Sequence, residues 1–97
     1  MTNEDRLFAG LRATMLGRVD STAATLREAA KEKGFWISAD GRIGESDLAA
    51  LLGMTPASLA NKRREGSAPS SFALGGGGHR VTYRLTDAAA WLESHHS

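Results

Sequence analysis

Between Glu45 and Gly66 the chain reads ESDLAALLGMTPASLANKRREG, and Gly53 divides this stretch into two pieces that can each be only a short helix. Leu48, Leu51 and Leu52 fall on one helical face of the first piece, and Gly53 supplies the left-handed residue that commonly ends a helix. Thr55 is a good N-cap for the second piece. Pro56 fits its first position, where no amide donor is required. That second helix is expected over Pro56–Glu65, ending at Gly66. Two helices crossing steeply at so short a turn must approach closely, and Ala49, four residues before Gly53, is the small residue for that crossing. Leu48, Leu52, Met54 and Leu59 are the positions expected to close the corner. Lys62, three after Leu59, stands where an apolar residue would be usual. The pattern is that of a helix-turn-helix.

The 97 residues suffice for one domain, and the 41% hydrophobic content is enough for a modest core and too high for a disordered chain. No apolar run approaches the ~20 residues needed to cross a bilayer. MTNEDRLFAG has acidic residues where a secretion leader would be basic, so a cytoplasmic location is expected. The absence of cysteine excludes disulfides and thiolate zinc sites. The net charge of +1 conceals an uneven distribution: basic and acidic residues balance before residue 42. Between 58 and 84, Lys62, Arg63, Arg64, Arg80 and Arg84 face Glu65 alone. Cationic charge gathered in one segment points to a polyanion-facing surface.

Upstream, Leu7, Leu11 and Met15 recur at i, i+4, i+8 beside Phe8, predicting a helix that stops at Gly17. A second helix, capped by Asp20 or Ser21, is expected to run to about Lys33 with Val19, Ala23, Leu26 and Ala30 on one face and Gly34 as its stop. Asp40-Gly41 lies between short apolar runs and is read either as a hairpin turn or as an irregular connector with Trp36 plugged into the core, the connector being preferred. Downstream, Phe72, Ala73 and Leu74 form a short strand candidate, and Val81, Tyr83 and Leu85 alternate like a half-buried one. Gly75 to Gly78 between them are too flexible for an element interior and read as a hairpin tip. Thr86 is expected to cap a last helix from Asp87 to about Glu93 that buries Leu85, Ala88 or Ala89, Trp91 and Leu92.

Taken in order, Leu48-Ala49, Leu52-Gly53, Ser58-Leu59, Arg63, Gly66, Pro69, Tyr83-Arg84, Asp87 and Trp91-Leu92 resemble the MerR-superfamily winged helix, in particular the small phage and plasmid excisionases and AlpA-like regulators. Terminase small-subunit DNA-binding domains are similar too. The resemblance covers about half the chain, Arg42 to Glu93; relatives of this type often carry tryptophan in place of Lys62 and glycine in place of Ala68. It implies a mainly α fold with a small β-hairpin wing, that is, a winged helix-turn-helix over 42–97. Residues 1–41 would be a helical extension of two helices, packed on the domain or pairing two copies. The implied ligand is double-stranded DNA, bound by a regulator or excision factor. The alternative is a terminase-like or replication component that loads partner proteins on DNA.

On that reading Thr55, Ala57, Ser58, Asn61 and Lys62 project into the major groove, where asparagine suits adenine and lysine suits guanine. Arg63 and Arg64 would hold phosphates, which position without specifying. His79 and Arg80 end the glycine-rich tip, which either approaches the DNA backbone or makes no contact. Arg84 and Arg42 either grip phosphate or pair with Asp47 or Asp87. Tyr83 and Trp91 are expected in the core. His79, His95 and His96 lack metal-ligand spacing, and no nucleophile–base arrangement is evident, so no metal, cofactor, small-molecule substrate or catalysis is expected. The Leu7/Leu11/Met15 stripe is a candidate homodimer contact.

Overall fold

A computed structural model describes residues 3–73 and 80–95, with side chains described from residue 17 onward. The elements are α1 (Asn3–Glu32), β1 (Arg42–Gly44), α2 (Glu45–Leu51), α3 (Pro56–Glu65), β2 (Phe72–Ala73), β3 (Val81–Arg84) and α4 (Leu85–Ser94). The described chain is thus mainly helical, with one small antiparallel sheet of order β1-β3-β2. The expected tip at Gly75–Gly78, with Leu74 and His79, lies outside the described residues, as do His96 and the side chains of Leu7, Phe8, Leu11 and Met15.

The N-terminal pair of helices is in fact one. α1 runs for 30 residues straight through Gly17. A single interior glycine costs only about 1 kcal/mol relative to alanine, and no left-handed turn occurs there: among the described residues the glycines with positive φ are Gly34, Gly41, Gly53 and Gly66. The stop at Gly34 (φ 72°) is where the sequence places it, and the Phe35 amide closes the end on the Ala30 carbonyl at 2.9 Å. The second half of α1 docks mainly against α4. Leu26 and Ala30 are buried, Val19 and Ala23 pack beside them, and the Thr22 hydroxyl donates to Glu93 Oε1 at 2.6 Å.

The connector reading of 35–43 needs correction. The Gly41 amide donates to the Ser38 carbonyl and the Ser38 amide to the Arg42 carbonyl, so the Asp40-Gly41 pair closes a tight turn and Ile37 bridges Ile43 in antiparallel fashion. Trp36, expected in the core, is 49% exposed. The bridge explains why: in extended chain neighbours point to opposite faces, and Ile37 takes the inward position.

One core joins all of this: Leu26, Ala30, Ile43, Leu48, Ala49, Leu59, Tyr83, Leu85, Ala88 and Ala89 are buried together. Leu48, Ala49 and Leu59 are fully covered, with Leu52 and Met54 partly so, and these close the corner between α2 and α3. Gly53 sits there at φ 72°, and the Met54 amide reaches back to the Ala49 carbonyl at 2.8 Å. At the other end of the sheet, α4 starts earlier than expected. Arg84 is its N-cap, Leu85 is its first residue rather than the end of a strand, and the expected cap at Thr86 does not form. The Leu85 amide, spare at that helix start, donates to the Gly41 carbonyl at 2.9 Å. Trp91 is half-buried instead of fully buried, and its indole N–H donates to the Ser67 carbonyl at 2.8 Å, fastening α4 to the loop after α3. No helix among the described residues is long and apolar enough to cross a membrane.

Candidate nucleic-acid interface

α3 is held from one side only. Thr55 caps it by accepting the Ser58 amide at 3.1 Å, Pro56 occupies its first turn, and Gly66 at φ 77° ends it. Leu59 alone is buried along its length. With 3.6 residues per turn, Ala57, Asn61 and Arg64 lie roughly opposite Leu59, and all three are exposed. Thr55 is exposed as well, while Ser58 and Lys62, on the flank, are half-buried. The outward stripe is not idle. Arg64 Nη1 donates to Asn61 Oδ1 at 3.1 Å. A bidentate contact to adenine uses both amide atoms of an asparagine; Arg64 occupies only one lone pair of Oδ1, so the second lone pair and the amide N–H groups of Asn61 remain for a base.

Arg63 is placed differently from its neighbour. One turn after Leu59, it points back toward α2, where its Nε donates to Glu45 Oε2 at 2.7 Å and its Nη2 lies 3.4 Å from Oε1. The Tyr83 hydroxyl donates to the same Oε2 at 2.6 Å. Glu45 thus ties the first turn of α2 to α3 and β3. Burial raises its carboxyl pKa, but the hydrogen bonds from Arg63 and Tyr83 outweigh that, and the group sits below its ordinary value. Burial, followed by the hydrogen bond to Glu45, pushes the Tyr83 phenol well above its usual range. Tyr83 is fully buried with Ile43 on the inner face of the sheet, as the sequence reading had it in the core.

A groove runs beside this cluster, lined by Gly44, Glu45, Ser46, Asp47, Pro56, Arg63, Arg80 and Val81. α3, through Pro56 in its first turn and Arg63 in its last, and the start of β3, through Arg80 and Val81, therefore flank one depression, with one cationic side chain on either side. The same lining includes the acidic first turn of α2, Glu45 and Asp47, at the positive end of that helix, with Glu45 paired to Arg63.

The other predicted cations gather on the outer face of the sheet. Arg42 opposes Arg84 across β1 and β3, and Phe72 opposes Thr82 across β2 and β3. Arg42 pairs neither with Asp47 nor with Asp87: its Nε holds Asp40 at 3.0 Å, and its Nη1 donates to Thr82 Oγ1 at 3.3 Å. Its guanidinium also lies 5.8 Å from the Phe72 ring centroid, and that of Arg84 lies 4.9 Å from the same ring. Arg80 stands 5.3 Å from the Trp36 ring. Thr82 faces outward yet is fully covered, because Phe72 and Arg42 pack across it.

So the structure brings Thr55, Ala57, Ser58, Asn61, Lys62 and Arg64 together on α3, and places Arg80, Arg84 and Arg42 along the sheet. It turns Arg63 inward to Glu45; His79 lies outside the described residues. Trp36, Phe72 and Glu45 belong to these surfaces and were missed by the sequence reading. Strand alternation around Ile37 was the available signal for Trp36, and the helical step from Leu59 to Arg63 was the signal for an acidic partner. No family model, curated protein or solved structure matches the chain.

Proposed function

We propose that the chain is a winged helix-turn-helix protein that binds double-stranded DNA in a sequence-dependent way, with α3 as the recognition helix and the β2–β3 hairpin as the wing. The observation that carries the reading is the groove flanked by Pro56 and Arg63 on one side and Arg80 on the other, next to a helix whose Ala57–Asn61–Arg64 stripe is open to solvent. A helix presented this way fits a major groove, and a hairpin beside it reaches the adjoining backbone. Asn61 and Lys62 are the base-reading candidates. Thr55, Ala57 and Ser58 line the entering end, and Arg64, Arg80 and Arg84 are the phosphate contacts. Arg63 and Arg42 are given supporting roles, since each is held by a carboxylate within the protein. Such a protein acts by occupying a site, as a regulator or excision factor of the phage and mobile-element kind.

The decisive experiment is enrichment of bound fragments from random duplex DNA, combined with the mass of the protein in solution. A recovered motif supports the reading, and its half-site spacing gives the number of copies bound. A single module of this size buries a small interface, so pairing of two copies through α1 is the expected arrangement on DNA. Retention of no duplex at low salt overturns the proposal.

A further inference from the structure

The outer face of the sheet has a chemistry that duplex binding does not require. The antiparallel bridge of Ile37 to Ile43 puts Trp36 beside Gly44 on the face opposite the core, and the register carries that row on through Thr82 to Phe72. Arg42 and Arg84 form the next row, and Arg80 precedes Thr82 on the same side. Two aromatic rings and three guanidinium groups thus share a surface; Asp40 is bound to Arg42, and Arg80 also borders the groove that carries Glu45 and Asp47. Trp36 is the exposed large hydrophobic side chain among the described residues.

Duplex DNA offers nothing to such a ring, because its base faces are stacked on one another and only phosphates and base edges are presented. An acidic peptide would satisfy the arginines and leave the indole without a flat partner. Single-stranded nucleic acid satisfies both: bases stack on aromatic rings irrespective of sequence, while cations track the backbone. Arg80 stands against Trp36 and Arg84 against Phe72, so a strand crossing the face meets a cation at each end of the aromatic row.

We propose that this face is a second nucleic-acid site, which takes single-stranded DNA or RNA with an unpaired base stacked on Trp36 and the backbone held by Arg80 and Arg84. The site shares Arg80 and Arg84 with the proposed duplex interface but not the outward stripe of α3, and its assignment does not depend on the duplex reading.

The test is titration with a thymidine oligonucleotide of about ten nucleotides, within the usual span of single-strand sites. Binding quenches the tryptophan fluorescence of the wild-type protein. Trp36→Phe keeps a ring, so it retains most of the affinity but loses the quench. Trp36→Ala weakens binding roughly 5- to 150-fold, the equivalent of one lost stacking contact, and Arg84→Ala weakens it too. In parallel, Arg64→Ala leaves oligonucleotide affinity within about twofold while weakening duplex binding, as separated sites behave independently. The proposal is overturned if Trp36→Ala binds the oligonucleotide like wild type, if the quench survives in Trp36→Phe, or if polyglutamate competes as well as unlabelled oligonucleotide. A protein that binds the oligonucleotide and no duplex sinks only the duplex reading. Trp36 is half-exposed, so the variants are expected to fold; should Trp36→Ala fail to, the quench comparison between wild type and Trp36→Phe still decides.

Discussion

Arg63 and Arg64 are adjacent in sequence but roughly 100° apart around α3, and their environments differ accordingly: one holds Glu45, the other reaches along the surface to Asn61. Replacing Arg64 by alanine should weaken binding to every duplex sequence and flatten the log–log salt dependence by about one unit, since each phosphate contact contributes a slope of about −0.9. Replacing Asn61 should instead relax sequence preference, by about 1–3 kcal/mol at one base pair. An unaltered salt slope for Arg64→Ala would remove that residue from the interface. Glu45 yields a pH prediction. Its carboxyl is lowered in the folded protein, so its stabilising contribution is complete above its ordinary pKa of 4.5 and disappears as pH falls through the lower folded value. Acid unfolding followed by circular dichroism should therefore show a loss of stability beginning below about pH 4.5 that is shallower in Glu45→Gln. The inward turn of Arg63 was legible in principle, because a residue four after a buried leucine rarely faces outward. Charge alone, counted along 58–84, hid it.

At the scale of elements, the punctuation of the middle segment was readable because each signal is local: Thr55 and Pro56 begin α3, and Gly53 and Gly66 stand at the ends where the backbone turns left-handed. Thr55→Ala should lower stability by about 1 kcal/mol. A methyl group at Gly53 meets no atom within 4 Å, so Gly53→Ala carries only the conformational cost of φ 72°, about 1–2 kcal/mol. Both are checked by urea denaturation. Where the sequence misled, tertiary context decided. Gly17 and the pair Asp20-Ser21 resemble a stop and a start, but the stripe Val19, Ala23, Leu26, Ala30 docks as one continuous helix on the core. Gly17 is exposed, with nothing within 4 Å of an added Cβ. Gly17→Ala should consequently raise the unfolding free energy by about 0.5–1 kcal/mol. A drop would mean that α1 is interrupted in solution. The Leu85 boundary failed for a related reason: apolar alternation continues through Val81, Tyr83 and Leu85, and nothing in a period-two pattern reveals that the last member begins a helix.

Across the whole molecule, the near-zero net charge conceals an uneven distribution, since the arginines of α3 and of the sheet lie in a different part of the chain from the balanced charges of α1. The two proposed surfaces meet at Arg80, which lines the groove beside α3 and also stands over Trp36. Duplex affinity should fall linearly on a log–log plot against salt with a slope between about −3.5 and −6, as expected for roughly four to seven phosphates; a flat dependence would exclude an interface built from these cations. The junction of β3 and α4 has a further consequence. Arg84 is at once the last strand residue and the cap of α4, with no spacer before Leu85. A strand repeats every two residues and a helix every 3.6, so this seam fixes the rotational phase of one against the other. Inserting a single alanine between Arg84 and Leu85 would either roll the Leu85–Ala88–Ala89 stripe off α1 or swap the inner and outer sides of the hairpin. Length at this seam is therefore far less tolerant of change than residue type, and hairpin and C-terminal helix must be inherited as one piece.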